Sequence, residues 1–261
     1  MDIASYTCPG GRNVNEDSFF AGEDVFVVAD GLGGHEKGED ASSCAIKSIR
    51  ENSHGYYSDG RILEILNVAN KAVRDLDNQG RTTVAAAFLE SGIFRYANVG
   101  DSRVYYFRNG KVFAQSKDHS VCQAAVDMGF LKPEEIRMNE DRPRLLKALG
   151  GREELDIKEC YPHIEMQAGD AFLLCSDGFW EYVYEEEMET ELQNAANAED
   201  WLAAMLRHQL TRANNQGDNY TAICVKVDET MAFYSKQKHK ENSFWKLFRK
   251  YFVGARTITE E

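Results

Sequence analysis

Two short apolar runs, Phe94 to Val99 and Arg103 to Arg108, are separated by only Gly100-Asp101-Ser102. So short a link reads as a hairpin-like turn and restricts the two runs to antiparallel strands. Asn109-Gly110 follows at once and reads as a second hairpin turn. Further runs rich in Val, Ala, Phe, Leu and Ile predict buried strands at Val25 to Ala29, Thr83 to Leu89, Ala171 to Cys175 and Ala222 to Val227. Ile62, Ile65, Leu66, Ala69, Val73 and Leu76 recur at helical spacing and predict a helix over 61–77. Leu202, Met205, Leu206 and Leu210 predict another over 199–213, and a third is expected over 40–52. Consecutive strands with helices in pairs point to antiparallel sheets covered by helices, not to a doubly wound parallel sheet.

The chain has 261 residues, enough for a substantial core. No apolar run approaches the roughly 20 residues needed to span a membrane. The N-terminus lacks a basic patch followed by an apolar stretch, so a soluble cytoplasmic protein is expected. The formal net charge of −13 opposes nucleic-acid binding, which draws its affinity from Lys and Arg. Acidity of this size fits solubility, or a carboxylate-rich site that takes cations. Cys8, Cys44, Cys122, Cys160, Cys175 and Cys224 are scattered without a C-x-x-C, which reads as free thiols in a reducing compartment.

The chemistry-bearing residues are acids at strand ends. Asp30 follows the run VFVVA, Asp177 follows AFLLCS, Asp218 precedes the run AICVKV, and Glu16-Asp17 precede Ser18-Phe19-Phe20. A lone Asp beside Gly is ordinarily a turn or cap residue. Several carboxylates converging on one spot would instead repel one another, and a divalent cation removes that conflict. Oxygen-only ligands select hard cations, Mg²⁺, Mn²⁺ or Ca²⁺.

The order of short motifs then resembles a known family. Gly11-Arg12-Asn13-Val14-Asn15-Glu16-Asp17 is followed by Val28-Ala29-Asp30-Gly31-Leu32-Gly33-Gly34-His35, Thr82-Thr83, and Ala97-Asn98-Val99-Gly100-Asp101-Ser102-Arg103. Lys117-Asp118-His119-Ser120, Leu149-Gly150, Cys175-Ser176-Asp177-Gly178 and Gly217-Asp218-Asn219-Tyr220-Thr221 complete the series. Each is weak alone; together and in order they resemble the metal-dependent PP2C-type protein phosphatases, in a bacterial-like form. The resemblance implies an α+β fold, a four-layer α/β/β/α sandwich of two antiparallel sheets flanked by helices, over residues 1–228.

It also implies metal-dependent hydrolysis of phosphoserine and phosphothreonine in proteins, by in-line attack of a water or hydroxide bridging two divalent metals, Mn²⁺ or Mg²⁺. Asp30 matches the bridging carboxylate, and the Gly31 carbonyl would ligate one ion. Asp177 and Asp218 would complete the other shell. Glu16 and Asp17 would act through metal-bound waters. Arg12 matches the residue that grips the substrate phosphate. Asp118 and Glu181, sharing Asp177, match a weaker third metal site. Other members place a His, read as general acid, where Leu32 stands here; either His35 substitutes, or it orders its loop and solvent protonates the leaving group. Thr82 and Thr83 read as structural, and Asp101 as the residue fixing its turn.

Residues 120–148 resemble the family's flap beside the active site, with Arg137, Arg142 and Arg144 read as a solvated charged surface. Residues 229–261 form a basic tail. Seven Lys/Arg and three Glu between Ser235 and Glu261 leave +4 there and −17 on the rest. Phe244, Leu247, Phe248, Tyr251 and Phe252 share one helical face, so segment 244–252 is expected to dock on the acidic body or on a partner. The negative body opposes an anionic membrane surface. Phosphorylated proteins, including a Ser/Thr kinase or its substrates, are the implied partners. The rival readings are a non-catalytic phosphoprotein-binding member of the same fold and an unrelated carboxylate-based nuclease or hydrolase. The full set of Asp30, Asp177, Asp218 and Arg12 favours the active phosphatase.

Overall fold

The apolar runs do become strands, and the alternation of their side chains sorts the molecule into layers. The structure is a computed structural model that describes residues 1–33, 37–55, 57–76, 79–151, 155, 163–214 and 216–229. One antiparallel sheet has the order β1 (Asp2–Cys8), β11 (Tyr220–Lys226), β10 (Ala171–Cys175), β7 (Arg103–Arg108), β8 (Lys111–Gln115). The other has the order β2 (Asp17–Ala21), β3 (Val25–Leu32), β5 (Val84–Glu90), β6 (Ile93–Val99), β9 (Ile164–Glu165), with the short β4 (Arg81–Thr82) also paired to β3.

Residues of period two divide between separate cores. On β3, Val25, Val27 and Ala29 pack against α1 (Lys37–Asn52) and α2 (Asp59–Arg74) through Ala41, Ala45, Ile49, Ile65 and Ala69. Phe26 and Val28 point the other way and meet Phe172, Leu174, Ile223 and Val225 between the sheets. Leu173, Cys175 and Cys224 face outward again, onto Met188 of α5 (Glu185–Asn194) and Trp201 and Met205 of α6 (Ala198–Ala213). The result is the four-layer α/β/β/α sandwich expected from the motifs. Burial on both faces explains why the central strands are apolar without interruption, and each large side chain so buried contributes roughly 1.5–3 kcal/mol. Two smaller helices, α3 (Val121–Asp127) and α4 (Asp177–Trp180), and a 3-10 turn at Pro133–Met138 lie in the connections. Among the described residues no helix is long and apolar enough to cross a membrane.

The turn that looked like a hairpin is corrected by the sheet topology. Phe94–Val99 pairs with β5 and β9, whereas Arg103–Arg108 pairs with β10 and β8. Gly100-Asp101-Ser102 therefore carries the chain from one sheet to the other. Gly100 takes a left-handed φ of 95°, and a Cβ there would lie 2.7 Å from Thr83 Cγ2, so glycine is needed for the close passage. Asn109-Gly110 is a true hairpin turn between β7 and β8, with φ of 53° and 71°, both positive as a primed turn requires. The first helix begins at Lys37, earlier than position 40. The tail from residue 230 onward, including 244–252, lies outside the described residues.

Candidate active site

Both sheets deliver acids to one end of the sandwich. Asp17 and Asp30 sit opposite each other in the β2–β3 register. Asp101 arrives on the inter-sheet turn, Asp177 opens α4 directly after β10, and Asp218 lies two residues before β11. The backbone of Asp30 is fixed from below. Its N–H donates to Thr83 Oγ1 at 3.1 Å, and its carbonyl accepts from Thr82 Oγ1 at 2.9 Å and the Thr83 N–H at 2.8 Å. Thr82 and Thr83 thus have the structural role expected of them.

A chain of hydrogen bonds orients Asp17. Its Oδ2 accepts from Ser176 Oγ and Thr221 Oγ1, each at 2.7 Å. Thr221 Oγ1 in turn lies 2.8 Å from Thr7 Oγ1, which accepts from Asn15 Nδ2 at 2.8 Å. Strands of both sheets are therefore tied through one carboxylate. Asn219 fastens the loop that carries Arg12 and Glu16. Its Nδ2 donates to the carbonyls of Pro9 and Val14, both at 2.9 Å, while its Oδ1 accepts from the Glu16 N–H at 2.8 Å. Arg12 Nη2 reaches Asp218 Oδ2 at 2.8 Å, and its side chain is 63% exposed, at the rim.

Close backbone packing sets the Gly31 position. A Cβ on Gly31 would collide with the Gly38 carbonyl and lie 2.6 Å from the Glu16 carbonyl oxygen. Gly31→Ala is expected to cost about 3 kcal/mol, the upper end of overpacking, because backbone on two sides cannot move aside. Urea unfolding of the variant measures this as a lowered midpoint.

The electrostatics show that the acids are not solvated independently. Burial raises the Asp30 carboxyl well above its ordinary value, and Asp17, Asp177, Asp101 and Asp218 raise it further. Burial is also the main cause of the upward shift at Asp177, with Asp218 adding to it and Arg142 opposing it. Asp17 is pushed from 3.8 up to about 7, by burial first and by Asp177 and Asp218 next, against the two hydroxyl hydrogen bonds. Glu16 Oε1 and Asp17 Oδ1 are buried without a hydrogen-bond partner. Buried, mutually repelling carboxylates with orphaned oxygens fit hard divalent cations. Among the described residues no three such side chains are already drawn together as a ligand cage. Asp30, the Gly31 carbonyl, Asp177 and Asp218 are the groups that would hold the ions, with Glu16 and Asp17 behind them.

This arrangement has a measurable cost. Native Asp17 holds its proton up to about pH 7, whereas an unfolded Asp releases it near 3.8. The native state therefore binds more protons between those values, and stability falls as pH rises through that window. Without divalent cations, the urea midpoint is expected to be higher at pH 5.5 than at pH 8. Asp17 alone contributes about 2 kcal/mol to the difference. Adding Mn²⁺ should shrink it.

Of the residues expected at a third cation site, Asp118 lies in a buried pair, accepting from Arg103 Nε at 2.8 Å and Nη2 at 2.7 Å. Glu181 Oε2 accepts from Arg142 Nη2 at 2.8 Å, and Asp177 Oδ2 from Arg142 Nη1 at 3.1 Å. Arg137 and Arg142 also depart from the solvated surface expected of them. Arg137 pairs with Glu185 at 2.6 Å, with 11% of its side chain exposed. Arg144 alone of the three keeps a largely exposed side chain, paired with Asp141 at 3.0 Å. Sequence reasoning missed Asp101 as a member of the site. Burial raises its carboxyl well above the ordinary range, and Asp177 and Asp118 raise it further. The available signal was an Asp on a turn between two buried strands, which a hairpin reading disguised. His35 lies outside the described residues.

Known proteins resemble the chain in sequence and in fold. Residues 11–217 match the family model described as Protein phosphatase 2C. The chain is 31% identical over 229 residues to the serine/threonine protein phosphatase PstP of Mycobacterium tuberculosis, covering 83% of this chain and 43% of that protein. The chain thus spans less than half the length of that relative. It is 30% identical over 243 residues to the serine/threonine phosphatase stp of Listeria monocytogenes, covering 84% and 92% of the two chains. A crystal structure of the catalytic domain of PstP in complex with two manganese ions superposes with a TM-score of 0.73 at 28% identity, covering 87% of this chain and 98% of that one. The chain belongs to the protein phosphatase 2C family.

Proposed function

We propose that the chain hydrolyses phosphoserine and phosphothreonine in proteins, using two divalent cations, Mn²⁺ or Mg²⁺, held by Asp30, the Gly31 carbonyl, Asp177 and Asp218. The observation that carries this reading is the buried cluster in which Asp17, Asp101, Asp177 and Asp218 all raise the Asp30 carboxyl. The relatives support it: two are named serine/threonine phosphatases, and the PstP catalytic domain is described with two manganese ions. When bound, such ions supply Lewis acidity and a water-derived nucleophile at neutral pH.

The chain's own residues do the rest. Asp17, locked by Ser176 and Thr221, and Glu16 beside it orient water around the ligand carboxylates. Arg12 touches Asp218 through one nitrogen, and its exposed fork offers further N–H groups to two phosphate oxygens. Burial of the acids keeps bulk water from screening these charges. Phosphorylated proteins, a Ser/Thr kinase or its substrates among them, are the partners this implies. The free Cys8, Cys44, Cys122, Cys175 and Cys224 support a reducing, cytoplasmic setting. Residues 1–228 would form the phosphatase domain, with 229–261 as an appended tail.

The test is phosphate release from a phosphothreonine peptide with Mn²⁺, with Mg²⁺ and with EDTA. Release that needs metal is expected. Well-folded protein with no activity in either metal would favour phosphoprotein binding without hydrolysis.

A further inference from the structure

The backbone just before Asp218 is held between two parts of the chain. On one side the Gly217 carbonyl accepts from the Gly11 N–H at 2.8 Å. That bond ties it to the turn from Pro9 to Arg12, which the Arg12 N–H closes on the Pro9 carbonyl at 3.0 Å. On the other side stands Tyr182. A Cβ placed on Gly217 would lie 3.2 Å from Tyr182 Cε2 and 3.7 Å from Cζ, the ring carbon that bears the hydroxyl. The hydroxyl end of the ring therefore reaches the residue that precedes the candidate ligand Asp218.

Tyr182 follows Glu181, the residue that caps α4, so the short helix that presents Asp177 also fixes this tyrosine. Its N–H donates to the Phe179 carbonyl at 3.2 Å, and its carbonyl accepts from Arg212 Nη1 at 2.5 Å. The residue is half-buried, and among the described residues its hydroxyl has no hydrogen-bond partner. A tyrosine hydroxyl packed this closely ordinarily finds one. Burial raises the hydroxyl above its ordinary value, and Glu181, Asp177 and Asp218 raise it further, against Arg142. The phenol is thus a neutral donor beside the acids, at the rim that also carries Arg12.

We propose that Tyr182 is a substrate-binding residue, whose hydroxyl donates to a phosphoryl oxygen of the bound phosphomonoester and whose ring walls the phosphate seat at Gly217. The proposal rests on the phosphatase reading above and adds to Arg12 a second group that grips phosphate. The two differ in kind. The guanidinium fork brings charge and takes two oxygens. The phenol brings one hydrogen bond and no charge, so it does not compete with divalent ions for the carboxylates. A phosphoryl group keeps its terminal oxygens from substrate to product, so the hydroxyl holds both alike. Such uniform binding lowers KM and leaves kcat unchanged.

The experiment uses the full chain and its Tyr182→Phe, Tyr182→Ala and Tyr184→Phe variants. Tyr184 is the control, an exposed tyrosine whose ring lies 5.0 Å from the end of Arg137 and 4.2 Å from that of Arg212. Steady-state kinetics on a phosphothreonine peptide in Mg²⁺ give KM and kcat. Titration calorimetry with inorganic phosphate, also in Mg²⁺, gives its Kd. Tyr182→Phe keeps the ring and is expected to raise both KM and the phosphate Kd about five-fold, the size of one neutral hydrogen bond. Its kcat should stay within about two-fold of native. Tyr182→Ala also strips the ring from Gly217 and is expected to lower kcat as well, while Tyr184→Phe matches the native chain. A Tyr182→Phe protein with native KM and native phosphate affinity overturns the proposal and leaves the ring as a prop for Gly217. A fall in kcat at unchanged KM contradicts it equally, as does a Tyr184→Phe protein that behaves like Tyr182→Phe. A native chain that binds phosphate but releases none from the peptide sinks the phosphatase reading, while the phosphate titration still decides the role of Tyr182.

Discussion

Asp30→Asn is expected to lower kcat/KM on a phosphothreonine peptide about a thousand-fold or more, and to raise the melting temperature of the metal-free protein. The two effects have one cause. Asp30 lies at the centre of the carboxylate cluster, buried, with Asp17, Asp177, Asp101 and Asp218 all opposing its ionisation. An asparagine keeps the shape and removes that repulsion, so the apo fold gains stability at pH 8. The same change removes the carboxylate proposed above to ligate the ions. The Asp30 backbone is held by Thr82 and Thr83, not by its own side chain, so the strand end keeps its position. Steady-state kinetics in Mn²⁺ and a thermal melt in EDTA check both halves. A variant that retains most of its activity would rule out Asp30 as the bridging ligand.

Arg103→Ala is expected to destabilise the fold by about 3–5 kcal/mol, the cost of stripping one partner from a buried ion pair. Arg103 makes two bonds to Asp118, donates to Tyr105 Oη at 3.1 Å, and stacks 3.5 Å from the Trp180 ring centroid. Side-chain exposure of the pair is 6% and 2%, so no water replaces the lost charge at Asp118. Trp180 follows the candidate ligand Asp177 on α4, and its Nε1 donates to the Asp101 carbonyl at 2.8 Å. Loosening this stack is therefore expected to weaken Mn²⁺ binding as well. Urea unfolding measures the first effect. The double change Arg103→Met/Asp118→Leu should recover much of the loss, since both charges leave together. If Arg103→Ala alone were neutral, the pair would not be the buried anchor described here.

Much of the architecture was legible because the central strands are buried on both faces. A run such as VFVVA has few other places in a folded chain. The elements that escaped notice are half-exposed or polar. In β1, every position of DIASYTC is exposed or half-buried, and α5 is the acidic stretch EEEMETELQN with Met188 and Leu192 buried. The turn at Gly100–Ser102 was misread because a link of three residues has the same local signature whether it joins partners in one sheet or crosses between two. Only the pairing of the flanking strands decides, and that is not local.

The same limit applies to the site. Asp30, Asp177, Asp218 and Asp17 could be singled out because each stands at the end of a strand in a recognisable motif. The partner of Asp118 lies fifteen residues away on a neighbouring strand, and the partners of Arg142 are 35 and 39 residues further along the chain. Nothing in residues 137–144 distinguishes Arg137 and Arg142, which turn inward, from Arg144, which does not. Burial and pairing in space assign them.

Anomalous diffraction from crystals grown with Mn²⁺ tests whether these carboxylates hold a pair of divalent ions as proposed. Two manganese peaks are expected at the Asp30 carboxylate, one on the side of the Gly31 carbonyl and one on the side of Asp177 and Asp218. No peak at Asp30, or manganese bound elsewhere on the acidic surface, would contradict it.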